Sequence, residues 1–259
     1  MALDTIQYLL GAGSGGLVGF TLGLVGGGGS ILAVPLMVYL VGVPQPHVAI
    51  GTSALAVAAN AAANLVPHAR AGTIKWRCAT MFAAAGVAGA YAGSTLGKAM
   101  DGQRLLFLFA LLMLVVGALM IRNRKDPGNP DVQCRRENAP KVMGYGLGTG
   151  LFSGFFGIGG GFLIVPALMA STAMPMRNAV GSSLVAVTAF GLTAAVNYAL
   201  SGLVDWALAG LFILGGVAGG IAGTLLSQRL SAMKGLLNTL FAGLIFVVAI
   251  YMLWQSAIR

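Results

Sequence analysis

The stretch "GLVGGGGSILAVP", Gly23 to Pro35, sets four consecutive glycines and then a proline inside a strongly apolar region. Glycine is about 1 kcal/mol worse than alanine at each helix position. Backbone left unpaired in hydrocarbon costs several kcal/mol per group. A run that breaks the backbone inside such a segment therefore has to have a use.

The surroundings are those of a membrane protein. The 259 residues are 58% hydrophobic and only 8% charged, with a mean hydropathy of +0.89; a soluble domain carries about 25% charged residues. Runs such as Leu105 to Ile121 and Leu236 to Trp254 approach the roughly 20 residues that cross a bilayer as a helix. The short alternating segments of a membrane β-barrel are missing. The expected fold is an all-α polytopic membrane protein. The opening "MALDTIQYLLGAG" has no basic segment ahead of its apolar run, so it reads as a structural segment and not as a cleaved signal peptide.

The formal charge of +9 does not point to nucleic acid. The cations are scattered among loops and form no aromatic-studded face, which suits charges that set membrane topology. Cys78 lies in an apolar segment and Cys134 in a polar linker, so a disulfide between them is not expected. No CxxC or His–Cys cluster offers a metal site, and no cofactor is implied.

The chain is written twice. The linker "RNRKDPGNPDVQCRRENAPK", residues 122–141, separates a first transmembrane repeat (1–121) from a second (142–259). "GGGGSILAVP" from Gly26 matches "GIGGGFLIVP" from Gly157 at six of ten positions. "GVAGAYAGSTL" from Gly86 matches "GVAGGIAGTLL" from Gly216 at seven of eleven. "GTS" at Gly51 answers "GSS" at Gly181, Gly72 answers Gly202, and Trp76 answers Trp206; every offset is 130 or 131 residues. Each half holds five apolar segments, near 5–25, 29–43, 47–66, 75–97 and 104–122, then near 142–156, 159–174, 178–200, 204–226 and 236–256. The second segment of each half is short, and both a full crossing and a re-entrant hairpin fit it. Either gives the halves odd parity and opposite orientation. Inverted repeats with the linker inside put twelve cations at the cytoplasmic face and three outside. Four crossings per half would give ten against five, a weaker fit to the positive-inside rule.

Inverted repeats with paired, Gly/Pro-interrupted segments mark secondary transporters, whose solute sits near the midplane where broken helices meet. Glycines let the backbone turn and approach a ligand closely, and the helix that comes after them aims unpaired N–H groups and its positive end at the gap. Gly26, Gly28, Gly29 and Ser30, with Gly157, Gly159, Gly160 and Gly161, are thus candidate anion contacts. The Gly86–Gly93 and Gly216–Gly223 blocks are spaced for helix packing instead. Thr52, Ser53, Ser182 and Ser183 occupy equivalent places early in the third segments. Asn60 and Asn64 share one helical face below Thr52, and Asn197 lies late in the equivalent helix. Hydroxyls and amides are the donors a dehydrated oxyanion needs, although the same groups also suit interhelical hydrogen bonds. His47 and Arg177, equivalent by the repeat, are candidates to draw anions into two vestibules, with interfacial snorkelling as the plainer alternative. Trp76 and Trp206 read as interface anchors.

The acidic residues, Asp4, Asp101, Asp126, Asp131, Glu137 and Asp205, all fall in termini, loops or the linker. A cation-coupled carrier ordinarily has a carboxylate within its spans. An anion leaving a negative interior needs no coupling ion, since the potential supplies about 2.3 kcal/mol per charge per 100 mV. Facilitated anion export is the expectation.

The glycine pattern completed at Gly154 to Pro166, its earlier copy at Gly23 to Pro35, and the adjoining "AIGTSAL" and "AVGSSLV" resemble the sulfite exporter TauE/SafE family. The likeness covers nearly the whole chain. It implies transport of sulfur-containing anions such as sulfite, sulfoacetate and other organosulfonates across the bacterial cytoplasmic (inner) membrane, and about eight full spans, so that two of the ten segments would be re-entrant. Ser30 offers a hydroxyl where Gly161 offers none. An anion channel on the same frame and a non-transporting membrane scaffold are the competing readings. An enzyme is the weakest, as no nucleophile–base pair is visible.

Overall fold

The computed structural model describes residues 4–122, 134, 138–157, 161–229, 243 and 246–255. All regular structure among them is helical. α1 spans Thr5–Val25. α2 is irregular: a 3₁₀ stretch over Gly26–Leu32, one α-turn over Ala33–Pro35 and a π stretch over Leu36–Leu40. Next come α3 (Pro46–Arg70), α4 (Trp76–Ala99), α5 (Gly102–Arg122), α6 (Ala139–Phe156), α7 (Gly161–Thr172), α8 (Met176–Ala199), α9 (Trp206–Arg229) and α10 (Phe246–Gln255). The mixed register of α2 has a local cause. Pro35 has no N–H and its ring crowds the preceding turn, and beyond it Val41 N–H reaches back five residues to the Leu36 carbonyl at 2.9 Å.

α3, α8 and Trp206–Leu226 of α9 are long and apolar enough to cross a bilayer. In their most apolar windows 67% and 61% of α3 and α8 are buried, against 33% for α9, so α3 and α8 form the centre. They run antiparallel: Gly51 faces Tyr198, Gly191 faces Ala54 and Ala58, and Gly181 faces Thr73. Large apolar side chains cover the outside of the bundle, Leu214 being 70% exposed, Val247 66% and Ile221 60%. A soluble protein does not present so continuous an apolar surface; hydrocarbon is its fitting solvent.

Lipid tails are as apolar as leucine, so helices in a bilayer associate through close packing and not through burial of oily surface. Glycine supplies that packing here. A Cβ on Gly15, Gly19 or Gly23 of α1 would overlap the backbone of Phe212, Gly216 or Gly220 of α9, and Gly219 and Gly223 meet Gly16 and Phe20 in return. The same arrangement joins α6 to α4, with Gly146, Gly150 and Gly154 against Phe82, Gly86 and Ala90. Both pairs are parallel, and in both one helix comes from before the linker and its mate from after it. The Gly86–Gly93 and Gly216–Gly223 blocks thus serve as close-packing seams.

The chain directions place Arg70, Lys75, Arg77, Lys141 and Arg177 at one end of the bundle, here the basic end. Asp4, Asp101 and Asp205 lie at the opposite end, with Lys98 and Arg104. Across the centre, two hydrogen bonds mirror each other. The backbone N–H of Asp205 donates to Thr52 Oγ1 at 3.0 Å, and that of Lys75 donates to Ser182 Oγ at 2.9 Å. Lys75 and Asp205 immediately precede α4 and α9, so each hydroxyl satisfies an orphan donor at the start of a helix from the other half. Replacing Ser182 by alanine removes this acceptor from the Lys75 N–H, and a loss of about 1 kcal/mol is expected. Thermal unfolding of the detergent-solubilised variant measures it.

One expectation is corrected. Cys78 and Cys134 are joined in a disulfide, with their Cα atoms 5.4 Å apart. Both are buried. Cys134 lies in the polar linker but packs against the first turn of α4, so segments of opposite character in sequence become contacts in space.

Candidate functional site

The first glycine run turns the chain back on itself. A Cβ on Gly29 would overlap the backbone of Thr21 and Leu22, eight residues earlier, and Gln7 at the start of α1 donates from Nε2 to the Val41 carbonyl at 3.0 Å. α2 therefore returns along α1 to the end from which α1 set out, a helical hairpin with Gly26, Gly28 and Gly29 around its tip. The second run also interrupts a helix. Gly157 ends α6 in the left-handed conformation at φ 63°, and its N–H closes on the Gly154 carbonyl at 3.0 Å. The side chain of Ile50 fills the space where a Cβ would lie, so glycine is required there twice over. Gly161 opens α7. Gly159 and Gly160 lie outside the described residues. The 3₁₀ stretch Gly26–Leu32 packs against α7, so the two interrupted segments meet, and Ser30 and Gly161 are both buried.

Depth is set by the register of α1 on α9. Gly19 lies on Gly216, close to the middle of α9. Gly29 folds back beside Thr21 and Leu22, two to three residues further along α1, which is about 4 Å from mid-depth. Asn60 packs its amide flat on Gly216 and so sits at mid-depth as well. It is fully buried, and neither its Nδ2 nor its Oδ1 has a hydrogen-bond partner among the described residues. One turn along, Asn64 donates from Nδ2 to the Asn60 carbonyl at 2.9 Å and accepts from Thr224 Oγ1 at 3.3 Å. Asn60, Asn64 and Thr224 make a polar seam between α3 and α9 beside Gly23, a residue of α1 shortly ahead of the first run.

At the positions that the 130-residue sequence offset aligns with this seam, the contact is apolar. Phe190, 130 residues after Asn60, packs on Gly86 as Asn60 packs on Gly216, and its ring stacks on Phe82 with centroids 6.1 Å apart. Thr224 is not a candidate on sequence, because it sits in a glycine block that reads as packing. Its alignment with the buried Ser94 is the one signal that could have found it.

The remaining candidates are dispersed. Thr52 and Ser182 hold the starts of α9 and α4, while Ser53 and Ser183 donate to the Ile50 and Val180 carbonyls at 2.9 and 2.8 Å. Asn197 lies at the end opposite the basic one and is engaged on both sides. Its Nδ2 donates to Ser94 Oγ at 2.6 Å and Thr95 Oγ1 at 3.0 Å. Lys98 Nζ donates to its carbonyl and to Oδ1 at 2.9 and 2.8 Å, and to Ser201 Oγ at 2.8 Å. This clasp fastens the ends of α4 and α8, with a cation at the negative end of α8. Asn197→Leu is expected to cost about 1–2 kcal/mol and to raise the maleimide labelling rate of a cysteine placed at Ser201. His47 lies at the same end, with Nε2 3.1 Å from the Met100 carbonyl, beside a cleft of about 320 Å³ lined by Gln45, Asp101, Gln103 and Leu203 among others. Arg177 is exposed at the basic end. Trp76 and Trp206 are exposed at the first residues of α4 and α9. No cluster of three or more metal-ligating side chains occurs among the described residues.

An all-helical bundle with an apolar exterior, interrupted helices in contact and a buried amide at mid-depth is the frame of a membrane transporter. The family model of the sulfite exporter TauE/SafE family matches residues 11–252, and the chain belongs to that family. A "probable membrane transporter protein" of Xylella fastidiosa (strain Temecula1) is 56% identical over 254 residues, 97% of each chain. The "probable membrane transporter protein YunE" of Bacillus subtilis is 27% identical over 83% of this chain and 87% of its own. One from Haemophilus influenzae is 31% identical over 65% of each. No solved structure matches.

Proposed function

We propose that the protein carries small sulfur-containing anions such as sulfite, sulfoacetate or other organosulfonates across the bacterial inner membrane, as a multi-pass exporter. The two halves act as inverted repeats, a reading supported by the antiparallel α3 and α8 and by the mirrored bonds Asp205–Thr52 and Lys75–Ser182. The basic end is cytoplasmic by the positive-inside rule. α1–α2 and α6–α7 are the re-entrant or short pieces.

One observation carries the reading most: the buried Asn60 amide at mid-depth, which has no hydrogen-bond partner among the described residues. An unsatisfied amide in hydrocarbon is costly, and intramembrane polar groups of this kind mark solute pathways. The Nδ2 hydrogens suit an oxyanion. Asn64 and Thr224 continue the polar surface, and Gly26, Gly28, Gly29 and Ser30, with Gly157, Gly159, Gly160 and Gly161, are the proposed contacts at the meeting of the two interruptions. Rocking of α3 against α9 about the Gly216 contact opens this seam to a solute.

The test is binding and liposome flux with the purified protein against sulfite, sulfoacetate, taurine, thiosulfate and sulfate. Saturable uptake of at least one sulfur oxyanion, stimulated by the same anion on the far side, is expected. Flux that never saturates would mean a channel on the same frame, and no flux of any of them would end the proposal.

A further inference from the structure

Two observations conflict if the Cys78–Cys134 bond is permanent. It lies at the basic end, beside Lys75 and Arg77, and that end is cytoplasmic on the sidedness proposed for the transporter, a reading on which the present inference rests. Cytoplasmic thiols are kept reduced, and disulfides there are transient. Yet the two sulfurs are packed together and buried. Both hold if the bond is made and broken.

Its position gives the bond something to control. Cys78 is the third residue of α4. Just before it, Lys75 N–H donates to Ser182 Oγ at 2.9 Å and the Thr73 carbonyl accepts from Asn178 Nδ2 at 2.9 Å. Gly181 leaves no room for a side chain against Thr73. The start of α4 is therefore where the segment before the linker is tied to α8 after it. A covalent bond from this junction to Cys134 fastens that one linker residue to the place where α4 meets α8.

We infer that Cys78 and Cys134 form a thiol–disulfide switch that ties Cys134 to the start of α4, at its junction with α8, when the cytoplasm becomes oxidising. The oxidant is a small disulfide R–S–S–R. One cysteine attacks as its thiolate, forming a mixed disulfide and releasing R–S⁻. The second then attacks the protein sulfur of that mixed bond and releases the other R–S⁻. The two cysteine protons end on two R–SH, so the cysteines are oxidised by two electrons and the small disulfide is reduced by two. A small thiol reverses the steps.

The experiment uses cells expressing the full chain, with thiols trapped by a polyethylene-glycol maleimide and read as a gel shift. In untreated cells both cysteines should take the reagent, and after exposure to oxidised glutathione in permeabilised cells neither should. In inverted membrane vesicles, oxidation should slow tryptic cleavage of the linker at least fivefold in the wild type and leave the Cys134→Ser variant unchanged. A bond already complete in untreated cells, thiols that stay free under oxidised glutathione, or cleavage indifferent to oxidation would overturn the switch. Cleavage of the linker in intact spheroplasts instead of inverted vesicles would show that the sidedness itself had failed.

Discussion

Gly19→Val is expected to abolish the folded bundle, with a loss of roughly 3 kcal/mol or more, at the upper end of what overpacking costs. The new Cβ falls on the Gly216 backbone, and a backbone atom cannot rotate away as a side chain can. α1 and α9 must then separate along their whole parallel contact, losing the dispersion and Cα–H···O contacts that hold them. Gly150→Val meets Gly86 in the same way on the α4–α6 pair and should behave alike. The control is built into the chain. Gly144 and Gly148 lie on α6 with open space where a Cβ would go, so alanine there should be neutral or stabilise by up to about 1 kcal/mol. Size-exclusion profiles after a temperature series in detergent measure all four. Equal tolerance of Gly19→Val and Gly148→Ala would mean that the glycine seams do not hold the bundle together.

These seams show how far sequence reading reaches in such a chain. The spacing of Gly86, Gly89 and Gly93 identifies a packing face, because small residues one turn apart must share a side of the helix. It does not identify the mate. In a soluble protein the apolar stripe of each helix would point to the core and restrict the pairing; here α4 and α9 are apolar all round, and either half could have supplied their partners. The structure pairs α4 with α6 and α9 with α1, crossing the linker each time. The glycine runs are legible as interruptions, since no helix tolerates four glycines cheaply. The hydroxyl pairs are legible as equivalent but not as helix-start acceptors. A threonine in an apolar helix looks the same whether it faces a solute or the N–H of Asp205. The partner of Cys78 is hidden because a polar linker gives no sign of which segment it lies against.

Asn60→Leu should separate stability from transport. The amide makes no hydrogen bond among the described residues and is fully buried, and removing an unsatisfied polar group from such a site relieves its desolvation cost, about 1–3 kcal/mol. Leucine is close in volume and keeps contact with Gly216, so little new cavity forms. The variant is expected to melt higher than the wild type. Flux of whichever sulfur oxyanion the wild type carries should nevertheless fall at least about tenfold, equivalent to about 1.4 kcal/mol, because the seam loses its central donor and becomes as apolar as the Phe190–Gly86 contact on the other side. Natural sites retain such costly groups where function needs them. Asn60→Gln, which keeps the amide but lengthens the side chain against Gly216, should restore part of the flux relative to leucine while giving up the gain in stability. A leucine variant that melts higher and transports as well as the wild type would remove Asn60 from the pathway and leave its unpaired amide without a role.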